Sequence, residues 1–161
     1  MEKTNQIHGQ ILEHTSGTAL WWLGNAGWAI KSDGVLLLID AVIENNVKGD
    51  PGMSERNLPR VHELPLRASE FGPGQLDLCL VTHAHGDHLA PRTIPTLNER
   101  TDCRFVVPLS CRERMLALGV HPERIIDAVH GHKIAHRHLT IEPLKALHGH
   151  WHGSVYKEAN F

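Results

Sequence analysis

A run of apolar residues, Leu76, Leu78, Cys79, Leu80 and Val81, ends in Thr82-His83-Ala84-His85-Gly86-Asp87-His88. The apolar part, residues 76–82, reads as a strand inside a sheet, yet its end carries five polar side chains that a core would not tolerate unpaired. The fold therefore has to bring this strand end to an opening. Side chains two apart on extended backbone point to one side, so His83 and His85 can grip a single ion. Gly86 permits a tight turn, after which Asp87 and His88 can face a neighbouring position. Imidazole and carboxylate suit zinc, iron or manganese, and four such groups within six residues predict a metal site with room for two ions.

Before this motif, residues 19–23, 28–31 and 35–39 read as three short strands, with turn signals at Gly24-Asn25-Ala26-Gly27 and Ser32-Asp33-Gly34. Val35-Leu36-Leu37-Leu38-Ile39 is apolar without alternation, as in a strand covered on both faces. Residues 44–74 lose periodicity and contain Pro51, Pro59, Pro65 and Pro73. A segment of that length predicts a functional loop or lid, or else a disordered insertion. After the motif, Pro91 opens a helix to about Glu99, residues 105–107 form a strand, and Ser110 with Glu113 has capping-box spacing for a helix ending near Gly119. Further strands are predicted at 125–129, 133–135 and 139–147, around a turn at Gly131. The order implies an α/β (α+β) fold, a mixed sheet with helices on one face, in one domain spanning 1–161.

The sequence His83-x-His85-x-Asp87-His88 resembles the signature of the metallo-β-lactamase superfamily. Leu38-Ile39-Asp40 resembles that superfamily's first motif; Asp40 would orient the metal loop from beneath, the alternative being a turn-forming Asp at a strand end. Trp21-Trp22-Leu23-Gly24, Lys31-Ser32-Asp33-Gly34 and Gly119-Val120-His121-Pro122-Glu123-Arg124-Ile125 are similar to the L-ascorbate-6-phosphate lactonase branch. The resemblance implies an αββα sandwich and a hydrolase that opens an ester or lactone bond with metal-activated water. It implies two divalent ions, zinc first, with manganese or iron as alternatives. His83, His85 and a later strand-end histidine would hold the first. His148 matches that histidine, with His150 and His152 as competitors. Asp87 and His88 would hold the second, Asp87 also acting catalytically by orienting the attacking water. The superfamily's remaining ligands, a bridging Asp and a last His, come from a second half. Residues 153–161 contain neither Asp nor His, so the chain is expected to be an incomplete, amino-terminal portion of such a sandwich.

Fourteen histidines are present, eleven of them between His83 and His152. His130, His132, His136 and His138 surround Gly131 without an interleaved carboxylate and read as a solvated hairpin rather than a second metal site. Trp21, Trp22 and Trp28 are expected in the core or a pocket wall. A formal charge of -2 without a basic run disfavours nucleic acid and hence the superfamily's phosphodiesterases and nucleases, the rival enzyme class. A metal-binding module without catalysis is the other alternative. An amidohydrolase barrel also starts with His-x-His after a strand, but needs roughly 250 residues. No apolar run approaches the roughly 20 residues that cross a bilayer, and residues 1–17 lack a signal-peptide core. Cys79, Cys103 and Cys111 lack zinc or disulfide spacing and read as reduced, buried thiols. The expected setting is therefore cytoplasmic, with a small-molecule substrate such as a phosphorylated lactone, no membrane partner, and a homo-oligomer conceivable if one sheet face lacks a covering layer.

Overall fold

The structure, a computed structural model, describes the backbone of residues 4–46, 50, 63–152 and 155–160, with side chains except at 4, 5, 147, 149–152 and 155–160. A helix α1 (Thr4–Glu13) leads into strands β1 (Thr18–Gly24), β2 (Gly27–Ser32) and β3 (Val35–Ile39). After a long connection come β4 (Leu78–Leu80), α2 (Thr93–Arg100), β5 (Arg104–Pro108), α3 (Arg112–Ala117) and β6 (Ile125–Ala128). Two hairpins follow, β7 (Ile134–His136) with β8 (Leu139–Ile141), and β9 (Leu147–His152) with β10 (Val155–Asn160).

Strands β1 to β6 form one sheet in sequence order. The first three pair antiparallel through tight turns, and β3, β4, β5 and β6 pair parallel, which requires crossovers: the long connection after β3 makes the one to β4, α2 the one from β4 to β5, and α3 the one from β5 to β6. The mixed α/β sheet is the architecture anticipated from the sequence. Val35, Leu36, Leu37 and Leu38 are all buried, because β3 lies inside the sheet and is covered on both faces. On one face, Leu36, Leu38, Cys79, Phe105 and Val107 meet Ile11 of α1, Ile94 and Leu97 of α2 and Met115 of α3. All three helices thus cover the same face. On the other, Leu37, Leu78 and Val106 meet Ile134, Leu139 and Ile141 of the β7–β8 hairpin.

Several expectations are corrected. Residues 4–13, to which the sequence assigned no element, form α1, whose Ile11 is fully buried. Of the strand expected over 76–82, Leu78–Leu80 form β4, and the pairing runs one residue further at each end, where Asp77 N–H donates to Leu36 O and Val81 N–H to Val106 O, both at 3.0 Å, before the chain departs into the histidine-rich loop. Residues 139–147 are not one strand: Pro143, lacking an N–H, falls between β8 and β9. The Ser110–Glu113 capping box is not made; Ser110 lies in a 3-10 turn, and Cys111 occupies the cap without a side-chain bond. Trp22 and Trp28 are 57% and 40% exposed rather than in the core, while Trp21 is half-buried with His14 edge-on to its ring. Within the expected lid over 44–74, Leu66, Ala68 and Phe71 are buried against the helical face, and Leu64 is buried as well. The part of that expectation over 47–49 and 51–62 lies outside the described residues.

Candidate metal centre

The site forms where β3 and β4 end side by side. Asp40 follows β3 with φ +46, a left-handed conformation that Asp tolerates better than most residues. Its N–H donates to Leu80 O at 3.0 Å, which carries the parallel pairing one step past β3. This turn buries the Asp40 carboxylate beneath the metal loop, 4% exposed. There it accepts from the Thr82 N–H at 2.8 Å, from Thr82 Oγ1 at 2.6 Å and from His88 Nδ1 at 2.8 Å.

These bonds favour one tautomer of each neutral ring. His88 Nδ1 donates to Asp40, which leaves Nε2 with its lone pair. Thr82 Oγ1 gives its proton to Asp40 and so accepts from His83 Nδ1 at 3.0 Å, which leaves His83 Nε2 with its lone pair. One carboxylate therefore orients two imidazoles, the usual arrangement behind a metal-ligating histidine.

His83 Nε2 lies 3.1 Å from His85 Nδ1, and His148 Nε2 lies 3.2 Å from the same atom. The ligand atoms of His83, His85 and His148 all fall within 4.8 Å of one another. A tetrahedron with metal–nitrogen bonds of about 2.05 Å has edges of about 3.3 Å, which the His83–His85 and His85–His148 spacings match. Beside them, Asp87 Oδ2 stands 3.8 Å from His88 Nε2, and the Asp87 side chain is 58% exposed. The donor set of imidazoles and a carboxylate fits zinc, iron or manganese.

Burial first, then the neighbouring His88, His85 and His148, pushes the pKa of His83 down to about 4, so its nitrogen lone pair is available at neutral pH. Burial also opposes charge on His88, but the Asp40 hydrogen bond and negative charge outweigh it and raise its pKa. For Asp40, burial works upward and is overcome by the His88 and Thr82 hydrogen bonds, which leave the carboxyl below its ordinary value.

The loop carbonyls are held individually. Ala84 O accepts from Arg114, His85 O from the N–H groups of His88 and Leu89 at 3.0 and 2.7 Å, Gly86 O from Asn46 Nδ2 at 3.2 Å, and Asp87 O from Asn25 Nδ2 at 3.0 Å. Sequence reasoning gave no role to Arg114, Asn46, Asn25 or the Thr82 hydroxyl. Only Asn25 carried a signal, as part of a turn.

The structure thus brings His83, His85 and His148 to one point and Asp87 with His88 to the next. His150 and His152 fall in β9, and their side chains lie outside the described residues. His130 and His132 are exposed. His136 reaches Asp77 and His138 reaches Ser32, both at 3.3 Å, near the start of β4 and so at the opposite end from the metal loop. No second metal-ligating group forms there among the described residues.

The family model of the beta-lactamase superfamily domain matches residues 37–160. A UPF0173 metal-dependent hydrolase of Polynucleobacter asymbioticus is 33% identical over 109 residues, covering 67% of this chain and 33% of the relative. An Escherichia coli protein named "Probable L-ascorbate-6-phosphate lactonase" is 26% identical over 145 residues, covering 80% of this chain and 41% of the relative. Among solved structures, a metallo hydrolase from Ignicoccus hospitalis matches with a TM-score of 0.45 and 20% identity, over 73% of this chain and 42% of that one. A diiron beta-hydroxylase from Streptomyces venezuelae matches with a TM-score of 0.48 and 22% identity, over 76% and 22%. The chain therefore spans between a third and two fifths of the length of these two curated relatives.

Proposed function

The chain belongs to the beta-lactamase superfamily domain family, and from that premise we propose that it is a metal-dependent hydrolase opening an ester or lactone bond. His83, His85 and His148 would hold one divalent ion, and Asp87 with His88 would contribute to a second. The observation that carries this reading is the convergence of His83 Nε2, His85 Nδ1 and His148 Nε2, with the proton on His83 directed away from the site by Thr82 and Asp40. Zinc is the ion we favour, because imidazole-rich sets at these nitrogen spacings suit its small tetrahedral shell.

When bound, the ions would lower the pKa of water and polarise the substrate's carbonyl oxygen. This chain's residues do the rest. Asp40 holds a proton on His88 Nδ1 and Thr82 holds one on His83 Nδ1, so in the neutral form each ring turns its Nε2 lone pair to the site. The exposed Asp87 carboxylate is the group placed to accept a hydrogen bond from the attacking water and hold it in line with the scissile carbonyl. A lactone substrate, in particular a phosphorylated one, is supported by the name of the Escherichia coli relative at 26% identity. The setting we propose is cytoplasmic, with a small-molecule partner; among the described residues, no helix is long and apolar enough to cross a membrane.

The test is elemental analysis of the purified chain beside a panel of lactone, ester and phosphodiester substrates. We expect bound metal and lactone or ester turnover, both abolished by His83→Ala with His85→Ala. Metal content unchanged in that double variant overturns the ligand assignment. Metal uptake without hydrolysis of any substrate in the panel favours a metal-binding module instead.

A further inference from the structure

Asp87 lies in a turn beyond the end of β4, where its main chain keeps a fixed place only if something holds it. Regular pairing does not. Beyond Leu80 the loop belongs to no strand, and the Asp87 side chain is 58% exposed.

The turn between β1 and β2 supplies the restraint. Asn25 sits there at φ +52, a conformation asparagine tolerates, and sends its amide 62 positions along the chain to Asp87 O at 3.0 Å. The turn is itself braced. Trp22 Nε1 donates to Asn25 O at 3.0 Å. At Gly27 the backbone comes so close that a Cβ would lie 3.1 Å from Gly24 O and 3.2 Å from both Ala41 Cα and Asp40 O. The turn thus presses on the Asp40 backbone on one side and holds Asp87 on the other.

We infer that Asn25 is a positioning residue for the second ion: its amide fixes the Asp87 main chain so that the carboxylate stays beside His88 Nε2. The inference rests on the metal-site reading above. The first ion position depends on it less, because His83 is anchored through Thr82 and Asp40 and His148 arrives from β9.

Asn25→Gly tests this cleanly, since glycine keeps the positive φ and removes only the amide. Asn25→Asp keeps the shape but sets a carboxylate oxygen against the Asp87 carbonyl. Each variant and the wild type are dialysed against buffered free zinc, and bound zinc is counted alongside the thermal melt. We expect wild type to take up one zinc ion tightly and a second more weakly, since Asp87 and His88 are the ligands proposed here for the second; a wild type that takes up one ion only overturns the inference. Asn25→Gly should melt close to wild type and keep the first ion, while binding the second roughly 10- to 100-fold more weakly, as is usual when a group orienting a ligand is lost. Asn25→Asp should be at least as weak. The inference is overturned if Asn25→Gly holds both ions with wild-type affinity, or if it loses both together with its thermal stability. A wild type that binds no zinc overturns the metal-site reading and this inference with it, whereas wild-type uptake of two ions with no effect in either variant overturns this inference alone.

Discussion

Asp40 shows how much a single buried carboxylate can set. It receives Thr82 twice and His88 once, and through them it decides the proton position on two of the proposed ligands. Asp40→Ala would strand the Thr82 N–H and the His88 Nδ1–H, so we expect a loss of about 2–3 kcal/mol in urea unfolding and roughly 10- to 100-fold weaker zinc binding. Unchanged zinc affinity would place Asp40 in a turn-forming role only. The pKa shifts give a second expectation. His83, lowered to about 4, is neutral in the folded protein while the unfolded chain still takes up a proton near 6.5; its stabilising contribution is therefore present above 6.5 and lost as the pH falls towards 4. His88 shifts the opposite way, so protons compete for its nitrogen at higher pH than for His83. Stability from the His88–Asp40 pair is full below the ordinary histidine value and fades as the pH rises through the raised one. Asp40, lowered, stays charged throughout this range. In the metal-free chain, urea unfolding along a pH series should therefore lose the His83 contribution as the pH falls from 6.5 towards 4, and His83→Ala should flatten that fall. An unchanged slope in the variant would contradict the burial of a neutral His83.

Among the elements, α1 depends on one lysine. Lys31, on β2 and 8% exposed, donates its Nζ to Ile11 O at 2.8 Å and Leu12 O at 3.0 Å, satisfying carbonyls that the end of α1 leaves open. Lys31→Met keeps the stem and removes the donors. We expect about 1–3 kcal/mol lower stability, with amide hydrogen exchange in α1 rising more than in β3; unchanged protection of α1 would show that Ile11 alone holds it. This helix also marks a limit of the sequence. Of its three large apolar residues, Ile7, Ile11 and Leu12, only Ile7 and Ile11 join the core, too few for periodicity to register before tertiary contacts are known. The β1–β2–β3 meander was legible because turn residues and β-rich runs alternate cleanly there. Likewise the metal loop was legible because its candidate ligands lie within six residues. What escaped was everything the loop leans on, since Asn25, Asn46 and Arg114 reach it across 62, 40 and 30 positions, and no local pattern encodes such contacts.

For the whole molecule, the two faces of the sheet are finished differently. Three helices close one face. On the other, the β7–β8 hairpin packs against Leu37, Leu78 and Val106, while Leu20, Trp22 and Trp28 remain exposed at the β1–β2 edge. The β9–β10 hairpin pairs only with itself and belongs to neither layer's hydrogen bonding. His148, on β9, nevertheless stands 3.2 Å from His85, 63 positions away. An ion shared by His83, His85 and His148 would therefore tie the hairpin to the sheet and act as a tertiary cross-link. Zinc at 100 times its dissociation constant stabilises the folded state by about 2.7 kcal/mol, which for a chain of this size means a melting temperature roughly 5–10 °C higher. If the cross-link is real, zinc should also slow amide exchange within β9 and β10. His148→Ala should lose that slowing while β4 and β5 keep their protection. Equal zinc-dependent protection of β9–β10 in the variant would mean that the hairpin is held by something other than the ion, and would remove His148 from the ligand set.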